Sequence, residues 1–145
     1  MNMFDALQVS ASGLSAQRLR LNLIAENIAN VETTSTANGG PYVRQEPVFA
    51  AMRQPRSFQD LLNIEQRYDQ AEVSVVDVIE DPRPPIIKYM PGHPDADADG
   101  LVRFPNVNIF EEMVNMISAQ RSYEANVTTV NAIKSMAMKA LEIGK

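Results

Sequence analysis

Apolar residues recur at both ends of the chain with the spacing of a helix laid lengthwise against other helices. From Asn108 almost to the last residue, steps of seven link Ile109, Met116, Tyr123, Val130 and Ala137. Steps of four add Met113, Val127 and Leu141, and Gln120 and Lys134 interrupt the stripe. The N-terminal segment repeats the pattern with Leu7, Leu14, Leu21 and Ile28, filled in by Met3, Ala11 and Ala25. The spacing predicts one helix over residues 3–31 and a second of about 36 residues, roughly 54 Å long at about 1.5 Å per residue. Such a length exceeds the width of a compact domain of this size and predicts an elongated molecule built to assemble.

The start and stop signals agree with this. Asn108 is a good N-cap with Glu111 three residues on, as in a capping box. Glu111 and Glu112 lie at the positive end of the helix dipole, and Lys139 and Lys145 lie toward the negative end. The first helix should stop near Asn30, where Thr33, Thr34, Ser35 and Thr36 favour other backbone states. Leu19, Leu21, Leu23 and Ile24 widen its apolar face. Ser10, Ser12, Gly13 and Ser15 make one stretch thin, which fits either a slightly weak helix or a close approach by another backbone.

Between the helices the periodicity shortens. Asn38-Gly39-Gly40-Pro41 is a turn. Tyr42 to Phe49 reads as a strand, made an edge or broken one by Pro47. Residues 53–70 fit one short helix or a loop. Residues 72–79 alternate as a strand, Asp81 to Pro85 breaks it, and Ile86 to Tyr89 is another short extended piece. Residues 90–106, rich in proline and glycine, read as loop. The fold class expected is mainly α with a small β-containing middle region, the two long helices pairing as a coiled coil. The domain layout expected is an N-terminal helix over 1–31, a small outer domain over 32–105 and a C-terminal helix over 106–145.

On a wheel of 100° per residue, Ile109, Met113, Met116, Tyr123, Val127, Val130 and Leu141 share one face of the C-terminal helix. Phe110, Val114 and Ile117 flank it, and Ile133, Met136, Ala140 and Ile143 fall roughly opposite. A short, acidic, proline-rich middle offers little apolar surface to cover three faces. Each fully exposed Leu, Ile or Phe forgoes about 1.5–3 kcal/mol of burial. Packing on several sides in an oligomer or filament is therefore expected, rather than a self-contained hairpin. The expected subunit interface comprises Leu7, Leu14, Leu21, Ile28, Ile109, Met113, Met116, Tyr123, Val127, Val130, Ala137 and Leu141.

Charge and candidate chemistry narrow the function. The chain of 145 residues carries 18 acidic against 13 basic residues, and the acidic excess sits in residues 32–100. There is no basic patch interleaved with aromatics, so nucleic acid is not an expected partner. There is no cysteine, which excludes disulfides, thiol nucleophiles and cysteine-ligated metals. No apolar run is long enough to span a membrane. With Asp5 early and no apolar h-region, no signal peptide is seen. Alone this reads as cytoplasmic, and it leaves export without a cleaved signal open.

Asp95-Ala96-Asp97-Ala98-Asp99-Gly100 matches half of a calcium loop, but position twelve is Asn106 rather than a glutamate. Pro91 and Pro94 deny it an entering helix, so it reads as an acidic surface turn. His93, the only histidine, sits between turn residues and reads as solvated. Glu111 and Glu112 are helix neighbours that do not face one pocket, so the dipole role is preferred over acid–base work. Met113, Met116, Met136 and Met138 read as packing residues. No metal, cofactor or enzyme activity is expected.

The same residues carry a resemblance. Pro105-Asn106-Val107-Asn108, Glu112-Met113-Val114, Arg121-Ser122-Tyr123-Glu124-Ala125-Asn126-Val127, Lys134-Ser135-Met136 and Ile143-Gly144-Lys145 resemble the C-terminal signature of the FlgC family of bacterial flagellar basal-body rod proteins. Residues Leu14 to Asn22 and Asn27-Ile28-Ala29-Asn30 resemble the opening shared by rod, hook and related axial proteins. Pro41-Tyr42-Val43-Arg44 and Val48-Phe49 resemble the post-helix strand. Asp77 to Glu80, Tyr89 to Pro94 and Gly100 to Val102 resemble the linker of this type. Residues 53–70 are longer than the usual version.

The resemblance implies a structural subunit of the proximal rod, the axle in the periplasmic basal body. It implies export through the flagellar type III apparatus with an uncleaved N-terminus. It further implies that paired terminal helices pack side by side with copies of the chain and with other rod proteins to transmit torque. Another axial protein of the superfamily and a soluble coiled-coil adaptor are the alternatives.

Overall fold

The computed structural model describes residues 3–37, 39–53 and 71–143. The ambiguous stretch 53–70 lies outside them from residue 54 onward, and so does Asn38 of the expected turn. Among the described residues, two long helices flank four strands along the sequence. These are α1 (Met3–Ala29), β1 (Gln45–Arg53), β2 (Ala71–Glu80), β3 (Ile86–Tyr89), β4 (Leu101–Phe104) and α2 (Ile109–Ile143). β1 pairs with β2, and β3 pairs with β4 antiparallel, Ile86 opposite Phe104 and Tyr89 opposite Leu101.

The chain divides into two compact units. One holds Met1–Leu19, Val48–Asp77 and Gln120–Lys145, and the other holds Arg20–Pro47 and Val78–Ala119. In the first unit the thin stretch of α1 meets other elements. The Ser12 hydroxyl donates to the Val9 carbonyl at 2.8 Å and accepts from the Val73 amide of β2 at 3.1 Å. Gln8 donates to Glu72 at 2.7 Å. A Cβ on Gly13 would lie 3.0 Å from the side-chain nitrogen of Asn126 on α2. Gly13 is closely approached, but by the Asn126 side chain and not by the other backbone expected. Ala16 and Ile133 are buried in this unit.

The second unit begins where α1 ends. The Asn30 backbone and side-chain amides both donate to the Glu26 carbonyl, at 3.0 and 2.9 Å. Asn30 then accepts from the amide and hydroxyl of Thr33, which closes the helix at the expected place. Gly39 and Gly40 both adopt left-handed backbone, with φ of 82° and 81°. They reverse the chain so that the Tyr42 amide bonds to the Thr33 carbonyl at 3.0 Å.

Four expectations need correction. The first strand starts at Gln45 rather than Tyr42, because the Tyr42 amide bonds to the helix-end turn. Pro47 lies inside β1, as a two-stranded sheet allows, since each strand has one unpaired edge. Residues 90–106 are not all loop, because Leu101–Phe104 forms β4 with Val102 only 1% exposed. Four residues between Gly100 and Pro105 are too few for alternation to show in a sequence. Ile133 lies on the buried face of α2, 6% exposed, and not opposite the stripe. A 100° wheel drifts by about 20° per heptad relative to a seven-residue seam, which misplaces residues far from its origin. His93 is half-buried rather than solvated, with its ring edge on Phe104 at 6.1 Å and its Nδ1 accepting from the Asp95 amide at 3.1 Å.

The β3–β4 connection depends on Gly100, which has a φ of 74°. A Cβ there would meet the Tyr89 ring at 2.9 Å and the Pro91 Cβ at 3.1 Å. The exposed Tyr89 ring can swing away, but the proline cannot. Gly39 has open space around it. Gly100→Ala should therefore destabilise the hairpin by more than the roughly 1–2 kcal/mol of left-handed strain alone, and Gly39→Ala by no more than that strain. Amide exchange at Met90, which donates to the Gly100 carbonyl at 2.8 Å, is the measure. Equal protection in the two variants would show that the close contact is unimportant.

Candidate functional site

The largest fully buried side chains include a charged one, Glu112, which is 0% exposed in the first turn of α2. Around it three other chain segments of the second unit converge. Asn27 comes from the last turns of α1, Tyr42 to Glu46 from the returning strand segment, and Asp81 from the end of β2. Burying a carboxylate is costly unless it is paired and hydrogen-bonded.

Glu112 meets both conditions. Its Oε1 accepts from Arg44 Nε at 2.9 Å and Nη2 at 2.7 Å, and its Oε2 accepts from Asn27 Nδ2 at 3.2 Å. The third guanidinium nitrogen of Arg44, itself 6% exposed, lies 2.9 Å from Glu46 and 3.5 Å from Asp81. Asn27 acts as a false strand. Its Nδ2 donates to the Gln45 carbonyl, and its Oδ1 accepts from the Gln45 amide and the Tyr42 hydroxyl, each at 2.9 Å. The Asp81 amide donates to the Arg44 carbonyl at 2.8 Å, and Arg83 clamps the Asp81 carboxylate at 2.6 and 2.8 Å.

The electrostatics follow from the contacts. Burial alone would lower the Arg44 pKa, but hydrogen bonds to Glu112 and Glu46 outweigh it and raise it. Burial, reinforced by Glu26 and Glu112, pushes the Tyr42 hydroxyl up. The Arg83 hydrogen bonds hold Asp81 down at about 2. Arg44 and Asp81 thus stay charged and Tyr42 stays neutral at neutral pH. The knot joins segments and presents no reactive group to a ligand.

Sequence reasoning assigned Glu112 to the helix dipole on the surface and missed its burial, because the donors are 68 and 85 residues away in the chain. A signal was present all the same. Three motifs quoted above, Asn27 to Asn30, Pro41 to Arg44 and Glu112 to Val114, contribute one residue or more to the same knot.

The second feature is the outward face of α2. Phe110 is 77% exposed and Val114 67%, with Ile117 beside them in the same unit. Leu141, with Met136 and Met138, is 70% exposed in the other unit. Of the expected interface residues, Leu7, Leu14, Leu21, Ile28, Met116, Tyr123, Val127, Val130 and Ala137 are half-buried within the chain, while Ile109, Met113 and Leu141 are exposed. A groove of about 460 Å³ at the start of α2 includes Val31, Ile86, Phe104, Ile109 and Phe110 in its lining. Asp95 of the acidic turn accepts from Thr34 at 2.6 Å. No group of metal-ligating side chains occurs among the described residues, and no helix among them is long and apolar enough to cross a membrane.

A charge-knotted pair of helix ends with large apolar residues left outside defines a structural protein that assembles. Comparison with known proteins names the assembly. Residues 7–35 match the family described as flagella basal body rod protein, and residues 98–143 match the flagellar basal body rod FlgEFG protein C-terminal family. The flagellar basal-body rod protein FlgC of Borreliella burgdorferi is 45% identical, covering 99% of this chain and 98% of the relative. FlgC of Bacillus subtilis is 43% identical over the full length of both chains. FlgC of Salmonella typhimurium is 39% identical over all of this chain and 98% of the relative. The chain belongs to the FlgC family of flagellar basal-body rod proteins, and it is a structural subunit of that rod.

Two predictions come from the knot. Glu112→Ala should cost about 3–5 kcal/mol, because it removes the buried carboxylate that accepts from two nitrogens of the buried Arg44. Denaturant unfolding measures this, and a cost below about 1 kcal/mol would mean that Arg44 reaches solvent. The second concerns acid. A carboxylate lowered from 3.8 to about 2 adds stability that is present above about pH 4 and is lost as pH falls toward 2. The stability gap between the wild type and Asp81→Asn should therefore be constant from pH 7 to about 4 and close by about pH 2. A gap independent of pH would show that the Arg83 clamp does not act through charge.

Proposed function

We propose that this chain is a subunit of the proximal rod, in the periplasmic part of the basal body. It is exported through the flagellar type III apparatus with its N-terminus uncleaved. Its terminal helices, residues 1–31 and 106–145, pair as a coiled coil and pack against copies of the chain and other rod proteins, with residues 32–105 as the outer domain. Supporting the pairing are the Asn27–Glu112 hydrogen bond and the fit of Asn126 over Gly13. The rod transmits torque, and close-packed helices suit that work because dense interiors deform little.

The observation that carries the reading is the exposed apolar face of α2. Phe110, Val114 and Leu141 forgo roughly 1.5–3 kcal/mol each if they stay in water, and contiguous exposed apolar surface marks interaction sites. The interface proposed comprises the heptad residues named from the sequence, with Ile109, Met113 and Leu141 joined by Phe110 and Val114 as its outermost members.

The test is to place a charge on that face without touching the knot. Phe110→Asp and Leu141→Asp should leave the protein expressed and exported yet abolish swimming, and Phe110→Leu should preserve it. Normal swimming with both aspartates would remove the face from the assembly. A purified chain that forms only a discrete dimer, with no incorporation into basal bodies, would favour an adaptor instead.

A further inference from the structure

The apolar contacts between α1 and α2 do not by themselves fix how far one helix is slid along the other. In the second unit the neighbours of Asn27 one turn back on α1 are Leu23 and Ile24, both buried. The positions that follow Glu112 on the inner side of α2 are Met116 and Ala119. Sliding α2 by one turn or by one heptad would put an apolar residue where Glu112 stands and leave apolar facing apolar. Heptad seams are prone to such slips, and a single polar position is the known device for choosing one register.

We propose that the Asn27–Arg44–Glu112 knot is the register key of this helix pair, and that its contribution is uniqueness rather than stability. The bonds form a two-step ruler. Asn27 fixes the segment at Gln45 to α1 by two backbone bonds of 2.9 Å. Arg44, carried on that fixed segment, then reaches one position of α2 at 2.7 Å. Bringing Met116 or Ala119 opposite Asn27 carries Glu112 past Ala29, the end of α1, and Arg44 then faces an apolar residue in place of its buried acceptor. An unpaired buried charge makes those registers costly, while a well-packed apolar replacement of the whole pair is neutral or stabilising in other proteins.

The chain has no cysteine, so engineered pairs report register cleanly. Gly13→Cys with Asn126→Cys reports the native register, because a Cβ at residue 13 already lies against Asn126. Gly13→Cys with Val130→Cys or with Ile133→Cys reports a slip of one turn or one heptad. In an otherwise wild-type chain the native pair should cross-link at least about tenfold faster than either slipped pair, since disulfide geometry tolerates little displacement.

In Arg44→Met/Glu112→Met the chain should melt at or above the wild-type midpoint, and above either single variant. The slipped pairs should then cross-link within about twofold of the native one. A folded double variant that keeps the tenfold preference would overturn the proposal, since apolar packing would then set the register. A double variant that melts below both single variants, or does not fold, would overturn it as well, because the knot would then be needed for stability itself.

Discussion

The constraint on which the second unit depends is the placement of the Glu112 charge out of water. Arg44 supplies the counter-charge, but a guanidinium 68 residues away reaches the carboxylate only if the intervening chain is held. Asn27 holds it by completing the backbone bonding of Gln45. That in turn requires α1 to end near Asn30 and the chain to reverse at once, which the left-handed Gly39 and Gly40 allow. Asp81 and Arg83 close the far side of the guanidinium and fix the end of β2. The helix ends, the tight return and the corner before β3 are thus arranged around one buried pair.

The distribution of polarity is inverted relative to an ordinary small domain. A charged and amide-rich cluster is sealed inside, while Phe110, Val114 and Leu141 stand in water. Among the described residues few apolar side chains are fully buried, Ala16 and Ile133 in the first unit and Leu23, Ile24, Val102, Val107 and Ala119 in the second. Directional hydrogen bonds specify geometry but add little net stability, whereas non-directional burial adds stability without specifying geometry. In a rod subunit the first belongs within the chain, where geometry must be set. In the proposed assembly the second is left on the outside for neighbours to bury.

The acidic turn and His93 fit this division. Asp95 is tied to Thr34, and His93 rests its ring against Phe104. The Asp95 contact braces the β3–β4 connection against the turn that follows α1, and the His93 contact lies within the hairpin, in the same unit as the knot.

Periodicity alone determined the two long helices and their ends, because α1 and α2 repeat a local pattern over many turns and local capping decides where each stops. It also determined that more apolar surface exists than one chain covers, which is a matter of counting residues. What only the tertiary structure decided depends on partners distant in sequence. Glu112 looks like any first-turn glutamate until Arg44 is brought to it, and no spacing rule links residues 27, 44 and 112. β4 is too short to announce itself and exists because Ile86–Tyr89 lies beside it. Ile133 is buried like Glu112 and Ala119, positions separated by multiples of seven that an ideal 100° wheel spreads progressively apart. Local chemistry fixes what repeats locally, and the long-range pairing of a buried charge fixes the rest.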